Sequence, residues 1–200
     1  LFDPWRFLVK KSAPFVLAVA LMGAFALVSA GAQDSAMPAV GQAAPGFTLP
    51  AQDGTPISLD QYKGKWVVLY FYPKDMTTGC TIEAHKFQDA ESQFDAKNAV
   101  ILGVSVDSTD SHKQFCAKDG LTFHLLSDAS HTVVSAYGSL ANYDGMVIAN
   151  RNTFLIDPTG KIAQVWTKVN PATAASTVLA AIPGGTPPAA PSGMAGAVHP

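Results

Sequence analysis

Trp66-Val-Val-Leu-Tyr-Phe-Tyr72, followed at once by Pro73-Lys-Asp-Met-Thr77-Thr-Gly-Cys80-Thr-Ile-Glu83, is the stretch from which the fold can be read. Seven consecutive aliphatic and aromatic residues without alternation form the pattern of a strand buried on both faces. Pro73 ends it, because proline has no N–H to give to a ladder. Beyond it, Ile82, Phe87 and Phe94 recur among charges, which predicts an amphipathic helix over Thr78 to Lys97 packed on the sheet. Cys80 therefore stands where a buried strand gives way to the first turn of a helix. The unpaired N–H groups and the positive end of the dipole there favour a thiolate over a thiol.

Working outward, Phe47 to Leu49 and Ile57 to Leu59 flank a turn containing Asp53, Gly54 and Pro56, which predicts a short hairpin. Downstream, Val100 to Val106 reads as a second buried strand and Ser108 to Lys118 as a helix carrying Phe115 and Cys116. A short strand at His124 to Leu126, a helix from His131 to Tyr137 and a strand at Thr153 to Ile156 follow. Asp157-Pro-Thr-Gly160 has turn chemistry, so Lys161 to Trp166 should return antiparallel, and Pro171 to Ala181 closes the chain as a helix. The expected class is α/β, a mixed central β-sheet flanked by α-helices, and the order matches the thioredoxin-like fold.

The two ends read differently. Arg6, Lys10 and Lys11, an uncharged apolar run from Phe15 to Val28, and Ala30-Gly-Ala32 make residues 1–32 an expected export signal, placing the protein in the periplasm. Left uncleaved, the same segment would be a membrane anchor, although the run is shorter than the roughly 20 residues of a spanning helix. Residues 33–40 read as a linker, 41–182 as one domain, and 183–200 as a Pro/Ala/Gly-rich disordered tail. Residues 1–32 hold three of the 13 basic and one of the 15 acidic residues, so the remainder carries a net charge of −4. With no basic stripe, nucleic acid is not an expected partner.

Two cysteines in an oxidising compartment are by default a structural disulfide, and a free cysteine can also be an inert buried hydrophobe. The surroundings of Cys80 offer other chemistry. A free cysteine ionises near about 8.5, so reaction at neutral pH needs help. Arg151, at the head of a strand, can bring a permanent positive charge to the same sheet edge, or it can pair with a surface carboxylate. Thr77 has a hydroxyl that both donates and accepts, and Pro73 can cover the thiol with an apolar ring. His85, His112, His124, His131 and His199 lack metal-ligand spacing, so no metal is expected. Trp66, Phe71 and Phe154 read as core, and Tyr72 as either core or site.

Pro73, Thr77 and Cys80 form P-x-x-x-T-x-x-C within YFYPKD and GCTIEA, and Arg151 to Ile162 reads R-x-T-F-L-I-D-P-x-G-K-I. Over residues 41–180 this resembles the peroxiredoxins, and most nearly their bacterioferritin-comigratory or Q-type subfamily. The resemblance implies Cys80 as the peroxidatic cysteine, surrounded by Pro73, Thr77 and Arg151. Many Q-type members carry a resolving cysteine five residues further on, where this chain has His85, and Thr78 stands where proline is common. Cys116, 36 residues after Cys80, resembles the subgroup whose resolving cysteine lies on the next helix. The implied enzyme is monomeric, reduces hydrogen peroxide and organic hydroperoxides without a cofactor, forms a Cys80–Cys116 disulfide, and is recycled by thioredoxin or a thioredoxin-like dithiol. The alternative is a non-catalytic exported domain stapled by that disulfide.

Overall fold

The computed structural model describes residues 36–184; the expected leader, the first residues of the linker and the tail beyond residue 184 lie outside the described residues. The chain forms β1 (Thr48–Pro50) and β2 (Pro56–Ser58), a 3-10 turn at Leu59–Tyr62, β3 (Trp66–Phe71), α1 (Thr78–Asp89), α2 (Glu91–Ala96) and β4 (Ala99–Ser105). It continues through α3 (Thr109–Asp119), β5 (His124–Ser127), α4 (Thr132–Ala136), β6 (Leu140–Tyr143), β7 (Met146–Ala149), β8 (Asn152–Ile156), β9 (Ile162–Trp166) and α5 (Ala174–Ala181).

Five strands form one sheet in the order β5-β4-β3-β8-β9. The β3–β4 and β4–β5 pairs are parallel, while β3–β8 and β8–β9 are antiparallel, so the sheet is mixed. β3 lies at its centre, and its side chains divide by the period of two. Val68, Tyr70 and Tyr72 join a core with Phe87, Phe94, Phe115 and Val178 from the helices. Val67, Leu69 and Phe71 join the opposite core with Leu49, Ile57, Val133, Val134 and Tyr137. Covered on both faces, β3 has no solvent side to alternate toward, which is why its sequence is continuously apolar.

The long helix expected over Thr78 to Lys97 is two helices, divided at Ala90, whose N–H closes on the Phe87 carbonyl three residues back. Ile82, expected to pack inward, is exposed. The inward stripe of α1 is Cys80, Glu83, Ala84 and Phe87, spaced i, i+3, i+4, i+7, and Ile82 falls on the opposite side of the turn. The β6–β7 hairpin was not expected. It turns through Asp144 (φ 49°) and Gly145 (φ 83°), the double left-handed geometry that Asp-Gly supplies.

Candidate active site

Cys80 occupies the third residue of α1, in the turn that opens after Thr77 and is closed by the Thr81 N–H donating to the Thr77 carbonyl at 2.9 Å. Its side chain is buried, with 1% of its surface exposed. Arg151 precedes β8 immediately, and the antiparallel pairing of Phe71 with Asn152 carries it to the end of β3 from which α1 departs. Its Nη2 donates to the Cys80 sulfur at 3.3 Å, and its Nη1 donates to Glu83 Oε2 in a very short ion pair. The planar fork of the guanidinium thus holds a sulfur and a carboxylate at once.

Glu83 is fully buried, and its other oxygen, Oε1, has no hydrogen-bond partner. Burial pushes its carboxyl up to about 7, against the opposing pull of Arg151. For Arg151, burial lowers the guanidinium value, but the charges of Glu83 and Cys80 outweigh it and raise the value overall. Gly79 makes room for this arrangement: a Cβ there would lie 3.3 Å from Arg151 Nη2 and 3.7 Å from the Pro171 ring. Neither Glu83 nor Gly79 was singled out from the sequence as a site residue. Glu83 lies three residues after the cysteine on the stripe of α1 that the structure buries, a placement that Ile82, Phe87 and Phe94 did not indicate.

Thr77 is exposed, and its hydroxyl donates to the Lys74 carbonyl at 3.0 Å, holding the loop that leads into α1. The structure gives it no hydrogen bond to the sulfur. Pro73 is half-buried and lines an open cavity of about 400 Å³ with Val106, His131, Met146 and Val147. Between Pro73 and Thr77, Met76 adopts φ 56°, a left-handed conformation that is uncommon without glycine.

Cys116 does not join this group. It is half-buried near the end of α3, and both cysteines are free thiols. Burial, followed by the negative charge of Asp75, pushes the Cys116 thiol up to about 11. Asp75 belongs to a buried network outside the sequence-based expectations. Tyr72 donates its hydroxyl to Asp75 Oδ1 at 2.7 Å, and His112 Nδ1 of α3 lies 2.8 Å from Asp75 Oδ2. Burial alone would raise the Asp75 carboxyl, but the hydrogen bond and charge of His112 hold it below its ordinary value. Tyr72 is thus both core and polar partner.

The chain matches the AhpC/TSA family over residues 40–165. It is 49% identical over 137 residues to a Coxiella burnetii chain described as a peroxiredoxin bcp, covering 65% of this chain and 89% of that one. It is 43% identical over 137 residues to Peroxiredoxin Bcp of Bacillus subtilis, covering 65% and 85%. Among solved structures, a mutant of Xylella fastidiosa PrxQ superposes with a TM-score of 0.69 at 36% identity, covering 72% of this chain and 95% of that chain. Sharing that family's sequence and fold, with a helix-start cysteine under an arginine fork, the chain belongs to the AhpC/TSA peroxiredoxins, in their Bcp or Q-type group.

Proposed function

We propose that the protein is a two-cysteine thiol peroxidase in which Cys80 is the nucleophile. The contact of Arg151 Nη2 with the Cys80 sulfur carries this reading. A guanidinium donating to the sulfur favours negative charge there and remains in place to stabilise charge as it moves onto the peroxide oxygens. The thiolate attacks one oxygen of the O–O bond, the other leaves as water or an alcohol, and Cys80 becomes a sulfenic acid. In this reading the Thr77 hydroxyl can hold the attacked peroxide oxygen, and the Pro73 ring covers the thiol from water. Both hydrogen peroxide and organic hydroperoxides offer this O–O bond, and both are substrates in this reading.

In this reading Cys116 condenses with the sulfenic acid, and a thioredoxin-like dithiol reduces the resulting disulfide. The protein acts as a monomer without a cofactor. The basic, apolar and small-residue sequence of residues 1–32 supports export, and a mature N-terminus at or near Gln33 in protein from its native compartment is the expected finding. An intact segment 10–30 there would favour an anchor. The enzymatic reading is tested by peroxide consumption of the reduced protein coupled to thioredoxin and its reductase. Turnover with loss of two thiols is expected, and a protein that leaves peroxide untouched would overturn it.

A further inference from the structure

In the loop that joins β3 to α1, Pro73 to Thr77, only Asp75 is buried; Pro73 is half-buried, and Lys74, Met76 and Thr77 are exposed. The loop therefore grips the fold through one side chain, and that side chain is an acid. A carboxylate is costly to bury unless its oxygens are satisfied. Both are: Tyr72 donates to Oδ1 at 2.7 Å, and His112 Nδ1 lies 2.8 Å from Oδ2. The Asp75 N–H donates in turn to Asp107 Oδ2 at 2.9 Å, an oxygen that also accepts from the Ser105 hydroxyl at 2.8 Å. Asp75 thus fastens the loop to the ends of β3 and β4 and to α3.

His112 is fully buried, and its Nε2 has no hydrogen-bond partner. Because an ionised Asp75 presents only acceptors, Nδ1 is the nitrogen that carries the proton between them. Packing alone does not call for such a ring, since an apolar side chain of similar size would fill the space without an unpaired atom. What the donor secures lies one residue beyond Asp75. Met76 stands in the left-handed conformation, φ 56°, which a residue other than glycine keeps only where its surroundings hold it, and its own exposed side chain supplies no such hold. That turn delivers Thr77 to the position before α1, with its hydroxyl turned back to the Lys74 carbonyl instead of capping the helix. Cys80 follows three residues later.

We propose that His112 and Asp75 are positioning residues for the oxidation of Cys80 by peroxide. His112 holds Asp75, Asp75 holds the left-handed turn at Met76, and the turn sets where Thr77 and the start of α1 stand when peroxide meets the sulfur. This rests on the reading of Cys80 as the sulfur that peroxide oxidises. The part played by the pair is geometric: a reacting group misplaced by a fraction of an ångström loses rate even when its chemistry is intact.

The test turns on where a replacement side chain puts its N–H. Asparagine places an amide N–H as many bonds from the backbone as His112 Nδ1, whereas glutamine places it where Nε2 stands. The reduced full-length protein is mixed rapidly with hydrogen peroxide, and loss of the Cys80 thiol is followed by quenching and mass spectrometry. His112→Gln and His112→Leu should slow this step by roughly tenfold, less than the about 10²-fold that a full ångström of misplacement can cost, and His112→Asn should come back to within about twofold of wild type. A role in packing alone would rank the variants the other way, because glutamine and leucine fill the space of an imidazole better than asparagine does. Asp75→Asn should be slowed like His112→Gln, since its amide nitrogen must face one of two donors. In the wild type, without any substitution, proton NMR should show a slowly exchanging imidazole N–H far downfield, as a buried ring donating to a carboxylate gives. Wild-type oxidation rates in His112→Gln and His112→Leu, rates that follow side-chain volume, or no such N–H in the wild type would each overturn the proposal. If wild-type protein itself leaves peroxide unreduced, the peroxidase reading is what fails, and this positioning role falls with it.

Discussion

Cys80 and Cys116 occupy opposite ends of helices. Cys80 lies in the first turn of α1, beneath free N–H groups, with a guanidinium donating to its sulfur. Cys116 lies in the last turn of α3, its own carbonyl accepting the two N–H groups that end the helix, with a carboxylate as its nearest electrostatic influence. The helix dipole therefore favours charge on the first sulfur and opposes it on the second. Burial does not account for the difference, because the more deeply buried cysteine is the one beneath the guanidinium. The difference is made by which charges were buried alongside each thiol.

The strongest way to break this comparison is to remove each sulfur in turn. Cys80→Ser should abolish peroxide turnover. Cys116→Ser should react with about one equivalent of peroxide and then fail to recycle through thioredoxin. Full thioredoxin-linked turnover in Cys116→Ser would mean that the two sulfurs do not divide the work as described.

Removing the cation is next in size. Arg151→Ala should slow Cys80 oxidation by roughly 10²-fold, the loss expected for one preorganised electrostatic donor. Arg151→Lys should recover little of it, because an ammonium cannot bridge Glu83 and the sulfur as the planar fork does. Stopped-flow rates unchanged in both variants would place the control of Cys80 elsewhere.

Glu83 sharpens the comparison through pH. Its folded value is raised to about 7, above the ordinary glutamate value of about 4.3. The folded state therefore holds this proton more tightly than the unfolded chain. The stability it contributes is fully present below the ordinary value and is lost as pH rises through 7. Glu83→Gln keeps an acceptor for Arg151 without the titration, so the urea midpoint of wild type should fall relative to the variant as pH rises from 4 to 7. The relative change in unfolding free energy should be on the order of 3 kcal/mol. A difference that does not vary with pH would show that Glu83 keeps an ordinary value.

The smallest expected effect comes from Gly79→Ala. A methyl group 3.3 Å from Arg151 Nη2 displaces the guanidinium by a few tenths of an ångström. Oxidation of Cys80 should slow by roughly threefold, since larger misplacements cost about 10²-fold, even as the helix gains up to about 1 kcal/mol from alanine. A variant that is more stable and equally fast would show that the fork has slack.

What could be read in the sequence follows from what each pattern measures. The β3 run was legible because burial on both faces leaves no polar position, and Asp157 to Gly160 because the turn chemistry is local. Arg151 could be placed near Cys80 from strand ends alone. Glu83 was hidden because a glutamate on a helix usually faces water, and its burial depends on a partner 68 residues away. The Tyr72–Asp75–His112 network spans the β3–α1 loop and α3, so no local pattern announces it. The β6–β7 hairpin was missed for another reason. Leu140, Tyr143, Met146 and Val147 are all exposed, so it lacks the inward and outward alternation that marks a strand, and Asp144-Gly145 was its one signal.

Gly103 leaves an empty slot in β4. A Cβ there would stand 2.7 Å from the Tyr70 hydroxyl and from Leu125, so the phenol ring lies where the missing side chain would be. The Tyr70 hydroxyl has no hydrogen-bond partner, and burial, then the charge of Glu83, then charge on Cys80 and Cys116 hold its ionisation well above the ordinary value. A ring packed between the two cysteine-bearing helices should report on both as an optical probe. Near-ultraviolet circular dichroism should change in two steps after peroxide is added, one for each sulfur, and Tyr70→Phe should silence both without added dye or label.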